Sequence, residues 1–347
     1  MHAQLSRTYS SVHLRKWLEG QFCDTSILRV EQTALVLRSG LNAHARRGLR
    51  IATRGSALAL WQANFVRSKL EALGLACALV VVETQGDRNL APFAALSGQG
   101  FFTKAVQDAV LEDRADLAVH SLKDLPSGVT PGLVIAAIPE RENARDVLLA
   151  RPQVVDPSRP LGIRAGAVLG TSAVRRRDQA RHLDASLELR ELRGNVPTRV
   201  EKLRRGEYDA VLLAAAGLNR LGLDLSDLYV RVLEPHVFVP APGQGALALE
   251  CRADDAATIA ALRTLDCALA QTTVAAERGL MARLQGGCQL ALGAWASLEG
   301  DNVRLLAWYE GQLFETTGSS ASDVSQRAFA LLRTAHPAAV HPEAVSA

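Results

Sequence analysis

No Cys-x-x-Cys pair occurs in this chain of 347 residues, and its five cysteines (Cys23, Cys77, Cys251, Cys267 and Cys288) fall at irregular spacing. The pattern gives no zinc ribbon and no disulfide framework, and it suits a reducing compartment. No apolar run approaches the length of a membrane span, and no Gly-x-x-x-x-Gly-Lys-Ser/Thr loop is present to cradle a nucleoside triphosphate. Neither sign of charge dominates: 39 basic and 36 acidic residues leave a net charge of +3, without the global footprint of a nucleic-acid-binding protein. What is there is ordinary globular material, 48% hydrophobic and 22% charged, long enough for two or three domains.

Residues 1–48 stand apart. Arg7, Arg15, Lys16, Arg29, Arg38, Arg46 and Arg47 face only Glu19, Asp24 and Glu31, with no sustained apolar stretch of a secretory signal. We expect a disordered leader here, with an organellar transit peptide as the alternative.

Organised sequence begins at Leu49. Residues 49–53 read as a strand and 57–73 as a helix with Leu58, Trp61 and Phe65 on one face. Residues 76–83 read as a continuous apolar strand, followed by a Gly-rich loop over 85–102. Thr103 is placed to cap a helix ending near Asp113, and 115–120 reads as a buried strand. The rhythm restarts after Arg145, with strands over 147–150, near 168, over 187–192 and over 209–214, and helices over 174–182 and 196–205. Strands alternating with helices predict two α/β units, each with a largely parallel sheet. A strand over 246–251, a helix over 268–285, a small antiparallel sheet over 293–316 and a helix over 320–335 complete the chain. No internal sequence repeat is visible.

Three constellations carry chemistry. The first is Gly286-Gly287-Cys288. Paired glycines stop the preceding helix and leave the thiol approachable. Taken alone, such a cysteine is more often a small buried hydrophobe. The second is arginine-rich. Arg175 and Arg176 follow a strand end turning into a helix, and Arg193 and Arg199 flank the next such turn. Helix-start N–H groups with guanidinium forks make carboxylate or phosphate sites. Arg177, Arg181, Arg204 and Arg205 read instead as a solvated face. Arg54 and Ser56 occupy the matching turn of the first unit. The third is His120-Ser121-Leu122-Lys123-Asp124 at a buried strand end, where Lys123 can hold an anion and Asp124 can face a developing cation. A plain surface turn stopped by Pro126 is the competing reading. Strand carboxyl ends facing one crevice are where open α/β sheets bind ligands.

These motifs carry a resemblance. Residues 50–56, 118–124, 170–176, 192–199, 241–246 and 286–288 occur in an order that closely resembles the hydroxymethylbilane synthase (porphobilinogen deaminase) family, from about Leu49 to the last helix. The resemblance implies two periodic-layout α/β lobes of the periplasmic-binding-protein type around a crevice, plus a small α+β C-terminal domain with an antiparallel sheet. It implies a first lobe over 49–139 and 246–264, a second over 145–239, hinges at 140–144 and 240–245, and a cofactor-attachment domain over 268–345. It further implies a dipyrromethane cofactor joined by a thioether to Cys288, and stepwise condensation of porphobilinogen with loss of ammonia. By the same resemblance Ser56, Lys123, Asp124, Thr171, Arg175, Arg176 and Arg193 match cofactor contacts. Arg54, Ser56, Arg193, Arg199, Arg220 and Gln244 match substrate contacts, and Asp124 matches the catalytic carboxylate. A cytoplasmic monomer is expected, acting on a small molecule without nucleic acid or membrane.

Three positions depart from the family pattern: Ala173 for a serine, Gln99 for a lysine and Ala291 for a proline. Two other readings stand beside the enzyme: a two-lobed anion-binding protein, which has no use for the thiol-bearing segment, and an RNA-binding protein using the arginine run, which lacks an aromatic stacking platform. Deletion of residues 1–48 is expected to leave melting temperature and ammonia release unchanged; a truncated chain that fails to fold would move the domain boundary upstream.

Overall fold

The computed structural model describes residues 48–83, 103–285 and 290–337. The leader, Gln99 and the Gly286-Gly287-Cys288 motif lie outside the described residues.

The first sheet collects β1 (Leu49–Arg54), β2 (Cys77–Val82), β3 (Leu117–Ser121), β4 (Leu133–Ala137) and the late strand β10 (Leu247–Arg252) in the order β2-β1-β3-β10-β4. The second collects β5 (Asp146–Ala150), β6 (Val168–Gly170), β7 (Glu188–Arg190), β8 (Ala210–Ala214) and β9 (Tyr229–Leu233) in the order β7-β6-β8-β5-β9. The two orders are the same pattern. In each, one strand pairs in parallel with two others, and the strand that arrives from the opposite lobe runs antiparallel to both neighbours: β10 against β3 and β4, β5 against β8 and β9. The sheets are therefore mixed where the strand–helix rhythm predicted a largely parallel arrangement. The reason is topological, because a chain entering directly from the other lobe needs no crossover helix and can run antiparallel.

Burial follows position. All five residues of β5 are buried, as are the first four of β8; after its opening Asp146, β5 reads as a continuous apolar run, as β8 does throughout. The edge strands β2, β7 and β9 alternate or stay half-exposed. Helices flank the sheets: α1 (Ala57–Glu71), α2 (Lys104–Leu111), α3 (Val174–Leu183), α4 (Val196–Arg204), α5 (Ala215–Leu221) and α6 (Ala256–Arg263). Ser56 caps α1 through the amide of Ala59, and Asn195 caps α4 through that of Thr198. Thr103 precedes α2 but makes no side-chain cap, because its backbone is already helical there. Helix α7 (Ala268–Arg283) and helix α8 (Ala321–Ala335) cover the antiparallel sheet β11 (Gly293–Glu299), β12 (Asn302–Tyr309) and β13 (Gln312–Gly318), around a core of Leu280, Leu305 and Leu332.

The lobes touch through α1 and α5, where the Arg220 guanidinium lies 5.7 Å from the centre of the Trp61 ring. They are joined by the two crossing segments, whose backbones meet at Gly245. Its φ is +87°, and a Cβ there would strike the carbonyl oxygen of Glu142. Gly222, which ends α5 at φ +58°, has open space around it. Gly245→Ala is therefore expected to lose about 3 kcal/mol or more in urea unfolding, combining backbone strain with overpacking. Gly222→Ala, with strain alone, should lose about 1–2 kcal/mol. Equal losses would show that the crossing segments relax apart.

Candidate active site

The expected site residues lie where strands stop. Arg54 is the last residue of β1 and Ser56 follows it, and beyond β3 comes a single 3-10 turn, Leu122–Asp124. Beyond β6 come Thr171, Arg175 and Arg176, and beyond β7 comes Arg193. Each strand is pinned by its sheet, so each of these residues starts from a fixed backbone position.

The centre of the site is Asp146, the first residue of β5 and fully buried. Its Oδ2 accepts from Arg175 Nη1 at 2.7 Å, and its Oδ1 accepts from Arg176 Nε and Nη2 at 3.1 and 2.7 Å. The amide of Gln244 adds a bond to Oδ1 at 2.9 Å. Burial alone would raise the pKa of this carboxyl, but the two guanidiniums beside it overcome that and hold it well below the usual carboxylate range. Arg175 also donates to the Val239 carbonyl at 2.6 Å and Arg176 to the Leu212 carbonyl at 2.9 Å. Both arginines are thus oriented by protein partners and sit 5% exposed at the floor of the crevice.

Lys123 reaches this floor from the other lobe, with Nζ 3.2 Å from the Oε1 of Gln244. Burial, then the Arg176 guanidinium, push its ammonium down to about 8 against the pull of Asp124 and Asp146. Arg199 is pushed down to about 10, first by burial and then by Arg176 and Arg193, with Asp124 opposing. Its Nε donates to the Gly194 carbonyl at 2.8 Å. This mutually coupled group therefore holds five cations (Lys123, Arg175, Arg176, Arg193, Arg199) and two carboxylates (Asp124, Asp146). Asp124 also lines a cavity of about 80 Å³ with Arg54, Ser56, Gln62, His120 and Ser121. His120 is buried against Glu250 at 3.3 Å, and Glu250 accepts from Gln107 at 2.9 Å.

Two expected residues sit at the margins. Arg220 is buried between the lobes and donates to the Gly245 carbonyl at 2.7 Å; burial pushes its pKa down to about 10. Thr171 is buried at the end of β6, its Oγ1 accepting from the Ala173 amide at 3.4 Å. Cys288 falls outside the described residues. Arg181, Arg204 and Arg205 are exposed, as a solvated face requires, while Arg177 is half-buried.

Residues 49–260 match the family model described as the dipyromethane cofactor binding domain of porphobilinogen deaminase, and residues 271–310 match that of its C-terminal domain. The chain belongs to the porphobilinogen deaminase family. Among curated relatives, the porphobilinogen deaminase of Trichlorobacter lovleyi is 45% identical over 267 residues, covering 76% of this chain and 83% of that protein. That of a Roseiflexus species is 46% identical over 260 residues, covering 74% and 83%. Solved structures with weak likeness include the periplasmic VFT2 domain of BvgS from Bordetella pertussis, at TM-score 0.40 and 13% identity over 66% of this chain and 89% of that one. A periplasmic binding protein from Salmonella typhimurium gives 0.38 and 10% over 63% and 91%.

The family's cofactor fits this site. A dipyrromethane carries paired acidic side chains on each ring, and Lys123, Arg175, Arg176 and Arg199 stand close together as cations to meet them. The porphobilinogen deaminase motifs mark the cations but not the carboxylate that organises them. Asp146 stood unremarked in the sequence, although a lone acid opening the apolar run Val147-Leu148-Leu149-Ala150 is a signal, since a buried charge needs a partner. The pair Arg141 and Glu277 was missed too. Arg141 Nη1 and Nη2 meet the two Glu277 oxygens at 2.8 and 2.9 Å across 136 positions of sequence.

Asp146→Asn leaves two buried guanidiniums without their counter-charge, and is expected to cost about 3–5 kcal/mol at pH 7. The depressed carboxyl lends stability that is full above the unfolded-state value near 4 and fades as pH falls below it, so the gap from wild type should narrow there. Denaturant melts at pH 7 and pH 3 test this, and a gap of constant size would mean that Asp146 does not carry the charge.

Proposed function

We propose that the chain condenses four porphobilinogen molecules, one at a time and with release of ammonia, into the linear tetrapyrrole hydroxymethylbilane, using a dipyrromethane held by a thioether to Cys288. The observation that carries the reading is the cationic floor built where strand ends of both lobes converge, with Asp124 set among the cations. Each added pyrrole brings further carboxylates, so the growing chain is a polyanion, and guanidinium forks suit it better than ammonium groups. The dipyrromethane, when bound, supplies the nucleophilic ring carbon.

In this proposal Lys123, Thr171, Arg175, Arg176 and Arg193 hold the cofactor's acidic side chains, and Ser56 contributes a hydroxyl. Arg54, Ser56, Arg193, Arg199, Arg220 and Gln244 hold the substrate. Loss of ammonia from porphobilinogen leaves an electron-poor azafulvene, and the Asp124 carboxylate stabilises it by its charge, a fixed electrostatic contribution of about 3–4 kcal/mol. The segments 140–144 and 240–245 act as hinges between a lobe over 49–139 and 246–264 and a lobe over 145–239. Residues 268–345 form the cofactor-bearing domain. The enzyme works as a cytoplasmic monomer, without nucleic acid or membrane; none of the described helices is long and apolar enough to cross a bilayer.

Cys288→Ala is expected to fold, to lack the adduct of dipyrromethane size in its intact mass, and to be inactive; full activity would sink the attachment site. Asp124→Asn should keep the adduct and bind porphobilinogen while slowing single-turnover ammonia release about 10²–10³-fold. Asp124→Glu, which keeps the charge, should lose less. An Asp124→Asn enzyme turning over at the wild-type rate would make that carboxylate structural.

A further inference from the structure

The turn that carries Lys123 and Asp124 has little structure of its own. It is one 3-10 turn closed by a single bond, from the Leu125 amide to the Leu122 carbonyl at 3.1 Å, and Ser121 gives it no side-chain cap. Short 3-10 segments are weakly held by their own bonding. Two external supports compensate. One is the second crossing segment: the Leu122 amide donates to the Ala246 carbonyl at 3.0 Å, and Gly243 packs against Leu122.

The other support comes from helix α7. Arg278 Nη1 donates to the carbonyls of Leu122 at 3.4 Å and Leu125 at 3.2 Å, and its Nη2 to that of Pro126 at 2.6 Å. These three carbonyls bracket Lys123 and Asp124 on both sides. Arg278 does not line the cavity that Asp124 faces. Burial pushes its pKa down, and the charge of the buried Glu250 of β10, the partner of His120, opposes this. The neighbouring Glu277 takes the Gly243 amide at 2.7 Å, so two consecutive side chains of α7 hold both supports of the turn. A guanidinium fixes three carbonyls from two nitrogens of one rigid plane, whereas an ammonium offers its three donors from a single mobile point.

We propose that Arg278 is a positioning residue for the condensation: by fixing the backbone on either side of Lys123 and Asp124, it aims the Asp124 carboxylate into the crevice. The inference rests on the reading of Asp124 as the charge that opposes the developing cation.

The test is a double-mutant cycle on the cofactor-loaded enzyme, using Arg278→Met, Arg278→Lys, Asp124→Asn and the Asp124→Asn/Arg278→Met pair, with porphobilinogen as substrate. Arg278→Met should retain the adduct mass and a KM within about threefold of wild type, while kcat falls on the order of 10- to 100-fold, the cost of a small misplacement of a reacting group. Arg278→Lys should recover part of that loss. In the Asp124→Asn background the methionine substitution should cost less than about twofold, because the group it positions is already gone. Wild-type kcat in Arg278→Met, or the same fold-loss in both backgrounds, would overturn the inference. Should the methionine variant fail to load cofactor, Arg278→Lys in the two backgrounds decides by the same criterion. Wild-type turnover by Asp124→Asn alone would overturn the reading of Asp124, and this inference with it.

Discussion

The crevice depends on the burial of one carboxylate. Asp146 is fully buried, and it stays ionised because two guanidiniums and an amide surround it. The dependence runs both ways. Arg175 and Arg176 could not be held 5% exposed without a counter-charge, since an unpaired buried ion costs several kcal/mol. One carboxylate serves two guanidiniums here. A site of this kind is preorganised for anions: its cations are oriented by internal partners before any ligand arrives.

A second buried carboxylate organises the frame around the first. Glu277 on α7 is fully buried, takes both arms of Arg141, and accepts from the amides of Gly243 and Ala296 at 2.7 and 2.8 Å. It joins both crossing segments to the C-terminal sheet. The third domain is also fastened to the second lobe, where Trp308 Nε1 donates to Asp178 at 2.6 Å and His182 packs edge-on against the Trp308 ring at 4.9 Å.

Much of this was legible locally. Buried strands such as Val147-Leu148-Leu149-Ala150 announce themselves as apolar runs, and the polar residues just beyond them follow the rule that ligands meet strand ends. Ser56 and Asn195 sit where helix caps belong, and they cap. What escaped notice depends on distant partners. Strand β4, Leu-Val-Ile-Ala-Ala, and strand β9 are short, and β4 is completed only by β10, which is more than a hundred residues later. Helix α5 has seven residues with a glycine in the middle, too few for a periodic signal. The antiparallel course of β5 and β10 follows from the chain passing between lobes, which no local pattern encodes. Arg278 shows the same limit: on α7 it is one charged residue among several, and only the tertiary structure brings it to the carbonyls of the Asp124 turn.

The two lobes repeat one strand order but divide the chemistry unequally. The second lobe supplies Arg175, Arg176, Arg193 and Arg199, while the first supplies the flexible ammonium of Lys123 and the carboxylate of Asp124. Guanidiniums fixed by Asp146 suit a role in which the same acidic groups are held again and again. Lys123, whose ammonium is pushed down to about 8, is the softer partner and the one whose charge responds to its surroundings. A bound polyanion would stabilise that ammonium. Gln244 bonds both Lys123 and Asp146, so the first lobe's cation and the second lobe's carboxylate share one amide at the segment that joins the lobes.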